Sequence, residues 1–160
     1  MQVTIRDAGD LKAVRRALRQ ASNGKDLSRQ LTRELRSEIV PIVADVKAAW
    51  QSAPSVTHDP KLRRALAKAT RGQVRLTGKE AGIRVRTDGR RMPDRAKSLP
   101  TLAEGTKRPW RHPVYGNRDV SVTQRTFPRF FRAVRPDQAR VRRQIEQAVE
   151  TVFKQIARAR

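Results

Sequence analysis

One run of apolar residues constrains this chain more than any other feature. Leu27, Leu31, Leu35, Ile39, Val43, Val46 and Trp50 recur at steps of three and four, the spacing that brings side chains onto one face of an α-helix. The spacing predicts a long amphipathic helix that opens near Asp26, as N-cap, and ends by Ala53-Pro54. Pro41 inside it withholds one backbone amide, so a kink is expected between Ser37 and Pro41. Such a helix needs a partner to cover its apolar face, and the end of the chain supplies one. Val141, Ile145, Val149, Val152 and Ile156 repeat the pattern after Pro136, with Asp137 placed as N-cap.

Outside these helices the periodicity changes. Val3 and Ile5 alternate with polar residues as in a short strand over residues 2 to 6, and Asp10 opens a short helix carrying Leu11, Val14 and Leu18 that stops at Asn23-Gly24. Residues 61 to 71 fit a short basic helix with Leu62, Leu66 and Ala69 on its apolar side. Residues 73 to 76 and 83 to 86 alternate apolar with polar or basic side chains around turn-forming residues, which predicts a hairpin. Residues 88 to 100, with Gly89, Pro93, Pro100 and several basic side chains, read as a flexible loop; one helical turn is expected over residues 101 to 105 and a strand over residues 120 to 124. The resulting fold class is α+β: long N- and C-terminal amphipathic helices packed on a small, mainly antiparallel β-sheet with a basic hairpin and a long loop. At 160 residues the chain fits a single domain, with a helical part at 10–53, the hairpin and loop at 72–100, a motif segment at 101–131 and the closing helix at 137–158.

Charge narrows the partners. The chain holds 37 Lys and Arg against 15 Asp and Glu, a formal net charge of +22. The excess is concentrated, with 21 basic and 5 acidic side chains in residues 61 to 136. Self-repulsion on this scale calls for an acidic counterpart, whether nucleic acid, an anionic membrane surface or another protein. Arg75, Arg84 and Arg86 of the hairpin should share one face by the two-residue strand period, with Arg90 and Arg91 just beyond, an arrangement suited to phosphates or carboxylates. The excess of 28 Arg over 9 Lys fits guanidinium recognition and fits a coding bias equally.

Catalytic chemistry finds little to work with. There is no cysteine, so disulfides and thiolate chemistry are excluded. His58 and His112 each stand beside proline in loop-like sequence without a spaced second ligand, and no metal or other cofactor is expected. Glu34 with Glu38, and Glu146 with Glu150, lie one turn apart but suit solvated helix faces. An enzyme is therefore not expected. The opening residues lack the apolar stretch of a signal peptide, and no window reaches the length of a membrane span, which points to a cytosolic protein without a membrane partner.

The segment after the basic loop is more distinctive. Leu102-Ala103-Glu104-Gly105-Thr106 is followed by His112-Pro113-Val114-Tyr115-Gly116-Asn117, then Val122-Thr123-Gln124, then Phe127-Pro128-Arg129-Phe130-Phe131 leading into the last helix. This order resembles the tail-completion and head-tail joining proteins of long-tailed bacteriophages, the group that includes the lambda minor tail protein Z. The likeness runs from about Leu27 to Ala157. The chain departs from the family at residues 56 to 62, where a Thr-Gly-Leu type motif is common, and in its Arg-rich loop.

The resemblance implies a structural virion protein, assembled in the host cytoplasm. It would form a homo-oligomeric, hexameric ring between the tail-tube protein and the neck or stopper proteins, with DNA passing through the channel. Tail terminator, tail completion protein and neck connector remain open. It also implies a framework role for Glu104, Gly105, Thr106, His112, Pro113, Tyr115, Gly116, Gln124 and Pro128, with Trp110, Tyr115 and Phe127 seating the segment on the core. A non-sequence-specific nucleic-acid-binding protein, using the basic middle segment, is the alternative reading of the charge.

Overall fold

A computed structural model describes residues 1–5, 10–53, 60–76, 82–93, 96–105, 110–114, 117–124, 126 and 128–158. The chain is α+β. In order it forms β1 (Gln2–Ile5), α1 (Asp10–Gln20), α2 (Gly24–Gln51), α3 (Lys61–Ala69), β2 (Thr70–Arg75), β3 (Gly82–Thr87), α4 (Leu99–Glu104), β4 (Trp110–Val114), β5 (Asn117–Gln124), α5 (Phe130–Val134) and α6 (Gln138–Arg158). Single 3-10 turns at Gly89–Arg91 and Arg135–Asp137 follow β3 and precede α6.

α2 is the spine, packing against the sheet, α1, α3, α5 and α6. Its buried stripe is Leu27, Leu31, Leu35, Ile39, Ile42, Val46 and Trp50. Ile42 therefore takes the fully buried place expected of Val43, which is half-buried. Four turns beyond Leu27 the 3.6-residue period has drifted by one position, and two adjacent β-branched residues left the choice to the neighbouring elements. The helix starts at Gly24 after Asn23, not at Asp26; Asp26 lies in the first turn, where its charge suits the helix dipole, and pairs with Arg29. Pro41 sits on the exposed side, and the helix runs unbroken through it.

On α6 all five expected residues, Val141, Ile145, Val149, Val152 and Ile156, are buried. Asp137 does not act as N-cap through its side chain. Its carboxylate accepts two bonds from Arg140, at 3.0 and 3.1 Å, and Arg140 also donates to Glu38 at 2.8 Å, which ties the start of α6 to α2. The buried apolar residues form one cluster, from Val14 and Leu18 on α1 to Ile156 on α6.

The main sheet has the order β1-β3-β2, antiparallel throughout. The hairpin strands are longer than expected, because β2 begins at Thr70 directly after α3. Register puts Val3, Gly72, Val74, Ile83 and Val85 on the face toward α2, where a Cβ on Gly72 would come within 2.7 Å of the Ile39 side chain. The missing side chain lets helix and strand approach closely. Leu66 and Ala69 of α3 face the core as expected, with Ala67 beside them, whereas Leu62, expected on the same side, is 48% exposed.

The described part of residues 88 to 100 is folded, against the expectation of a flexible loop. Asp88 accepts the Arg90 amide and sets the 3-10 turn, Met92 and Leu99 are buried in the core, and α4 already begins at Leu99. A second, two-stranded sheet joins β4 to β5.

Candidate assembly and basic surfaces

Two of the residues singled out in the motif segment meet at one place. Glu104 ends α4 and is 5% exposed, and its carboxylate accepts the backbone N–H groups of Arg129, Phe130 and Phe131 at 2.9, 3.0 and 3.0 Å. These amides belong to the first turn of α5, where no intrahelical acceptor exists. The carboxylate thus caps a helix 25 to 27 residues further along the chain, with the helix dipole in its favour. Gly105 follows in the left-handed region at φ +69°, closing α4, and a Cβ there would stand 2.8 Å from the Thr126 side chain. Glu104 and Gly105 together dock the segment that leads into α5. This holds Phe130 in the core, edge-on to Phe131 at 5.4 Å between ring centres.

The other motif residues are dispersed. His112 and Pro113 lie on β4, opposite Val122 and Ser121, and Gln124 ends β5 opposite Trp110. Pro128 is exposed just before α5. Thr106, Tyr115, Gly116 and Phe127 lie outside the described residues, as does His58, so the expected seating by Tyr115 and Phe127 falls there too; the side chain of Trp110 is likewise not described.

The basic residues form a row. Register sets Arg75 opposite Gly82, Gln73 opposite Arg84 and Arg71 opposite Arg86, so Arg75, Arg84 and Arg86 do share the face turned away from α2. Arg90 and Arg91 are exposed beyond the far end of β3, about 17 Å along the ladder from the Arg75 end. The row is not uniformly available. Arg84 is 6% exposed, and Arg86 is engaged by Asp88.

Asp88, which sequence reasoning placed in a loop, is the hub of this face. It is buried, accepts Arg71 at 2.9 Å and the Arg90 amide at 3.2 Å, and pairs with Arg86. Burial by itself raises its pKa, but the Arg90 amide and the guanidinium groups of Arg86 and Arg71 outweigh burial and hold the carboxyl below its usual value of 3.8. A carboxyl depressed in the folded state stabilises above its unfolded pKa and ceases to do so as pH falls through the folded pKa. Asp88→Asn is expected to lose roughly 2 kcal/mol at neutral pH. In urea melts from pH 6 to pH 2, the gap between the two proteins should narrow below pH 3.8; a constant gap would refute the ion-pair origin.

The carboxylate pairs considered for acid-base work are engaged in hydrogen bonds and ion pairs. Glu34 accepts from Gln30, Glu38 from Arg140, Glu146 pairs with Arg142 and Glu150 with Lys154. The described side chains of the two-stranded ribbon are turned to solvent, Arg111 on β4 among them. Residues 119 to 123 are all exposed, including Val120 at 52% and Val122 at 48%. No helix among the described residues is long and apolar enough to cross a membrane. No protein-family model, curated protein or solved structure matches the chain.

Proposed function

We propose that this chain is a structural protein of the bacteriophage head-tail junction, acting as one copy in a ring as a tail terminator, tail completion protein or neck connector. The observation that carries the reading is the Glu104 cap. The Glu-Gly and Pro-x-Phe-Phe segments belong to the ordered succession that resembles the joining proteins, and here the first binds the backbone of the second. Glu104 thus serves the fold of the subunit itself, which suits the framework role that the resemblance implies for it. The exposed ribbon and the strongly charged surface suit a protein whose contacts are completed by neighbours.

Negative-stain electron microscopy of the purified protein, alone and with its tail-tube protein at low and high salt, tests this. Rings or capped tube ends are the expected result. A strictly monomeric protein that neither binds tubes nor copurifies with virions would sink the reading.

A second reading, non-specific nucleic-acid binding, is favoured by the exposure of Arg75, Arg90 and Arg91. Arg84 and Arg86 are too committed to the fold to serve as clean probes. Replacing the three exposed arginines by Gln should reduce the log-log salt slope of duplex binding by roughly 2.7, at about 0.9 per phosphate contact. An unchanged slope in anisotropy titrations from 50 to 200 mM salt would reject this surface.

A further inference from the structure

The main sheet ends at β2 among the described residues. β3 is central and β2 an edge, so among the described residues β2 is paired on one side only. Alternate residues of an antiparallel edge strand turn their N–H and C=O outward, ready for another strand. Beside that edge the flank of α2 is uncovered. Val40, Val43 and Ala44 form, with Gly72 and Val74 of β2, a groove of about 690 Å³ flanked by Arg36 and Lys47. Val40 is 64% exposed in the middle of the longest helix, and with half-buried Val43 and exposed Ala44 it makes a continuous apolar strip rather than a single exposed side chain.

The same chain carries a strand that fits. β5 belongs to a ribbon of only two strands, which is marginal by itself. The outer edge of β4 is interrupted by Pro113, which has no amide hydrogen, whereas β5 has no proline. Val120 and Val122 share one face of β5 and are both exposed. Residues 119 to 124, Asp-Val-Ser-Val-Thr-Gln, contain no Lys or Arg, although residues 61 to 136 as a whole are strongly basic. That stretch matches the six residues of β2 in length and can approach Arg36 and Lys47 without repulsion.

We propose that β5 of one copy adds to β2 of a second copy as a fourth strand, laying Val120 and Val122 over the uncovered flank of α2. Main-chain bonds to the β2 edge supply the attraction, and the alternating valines select the face and register. Donor and acceptor are different surfaces, so the contact is heterologous and runs head to tail, closing into a ring where the rotation allows. The inference deepens the ring reading and rests on it only for closure; the strand exchange itself requires no virion.

Because the chain has no cysteine, single-cysteine variants are clean probes. In the added strand Ser121 would face the same side as Gln73 of β2, away from α2. Separately purified Gln73→Cys and Ser121→Cys proteins, mixed and treated with a short bismaleimide, should give a mixed product several-fold above either self-product. Val120→Lys with Val122→Lys in the Ser121→Cys chain, at positions already exposed, should abolish that product with an unchanged thermal melt, because the groove is flanked by Arg36 and Lys47. Rings seen by microscopy without the mixed product, or a product indifferent to the lysines, would overturn the strand contact while leaving the ring reading intact. A protein that stays monomeric with no product would overturn both. Crosslinking of Gln73→Cys to an added tail-tube protein in place of Ser121→Cys would assign the groove to that protein and overturn the self-contact.

Discussion

Glu104→Ala is expected to lose about 3 to 5 kcal/mol of folding stability, because it leaves three amides of the α5 first turn without their acceptor. Hydrogen bonds to a charged group contribute roughly 1.5 to 3 kcal/mol each, and three that share one carboxylate do not add fully. Glu104→Gln separates charge from shape. Oε2 of the native residue takes two of the bonds and Oε1 the third, so the amide must turn its own N–H₂ toward a backbone N–H at one of these sites. The glutamine variant should therefore fall about 2 kcal/mol below wild type and remain above the alanine variant. A loss of several kcal/mol moves the melting temperature of a domain of this size by roughly 10 °C or more. Urea and thermal melts that put both variants within about 1 kcal/mol of wild type would show that the cap is not what holds α5. Phe130 is held in the core by this turn, so in the proposed ring a copy carrying Glu104→Ala would need a neighbour to restore the turn.

That cap shows how far the sequence could be read. The Glu104-Gly105 pair stood out by its place in an ordered succession, but its task was hidden, because the amides it serves are 25 to 27 residues away and every backbone carries such amides. The stripes of α2 and α6 were legible because one helical face repeats often enough to average out single substitutions. Where it failed, at Val43 against Ile42, the two candidates were adjacent and equally apolar, and packing decided. The folded stretch after Asp88 was misread for a different reason. Its turn chemistry is real, but Met92 and Leu99 are too far apart to make a period, and it is their burial, with the Asp88 contacts, that orders the segment. The basic face was predicted correctly as a face, since strand register needs only the two-residue period. The pairing of Arg71 and Arg86 with Asp88 was not, because it depends on which charges the fold brings together beyond the end of the strand.

The second large effect is expected at Trp50, the residue that closes the α2 stripe. It is fully buried, and its indole Nε1 donates to Thr87 Oγ1 at 3.1 Å. Thr87 and Thr70, opposite each other in the β2–β3 ladder, have their hydroxyls 2.9 Å apart, and Thr70 donates to the Leu66 carbonyl at 2.9 Å. With the Thr70 proton used on Leu66, Thr87 must donate to Thr70 and accept from Trp50. The result is a buried chain in which every proton has a place, running from α2 through β3 and β2 to α3. Trp50→Ala should cost about 4 to 5 kcal/mol through the cavity and the lost bond, a large part of a total stability of about 5 to 15 kcal/mol. Thr87→Val keeps the shape but strands the indole donor, at roughly 2 kcal/mol. Trp50→Phe removes the donor, so in its presence Thr87→Val should cost less, with a coupling of about 1 kcal/mol in a double-mutant cycle. Denaturant melts of the four proteins measure this directly. Additivity within about 0.3 kcal/mol would mean that Trp50 acts by volume alone and that the hydroxyl chain adds nothing to the join between helix and sheet.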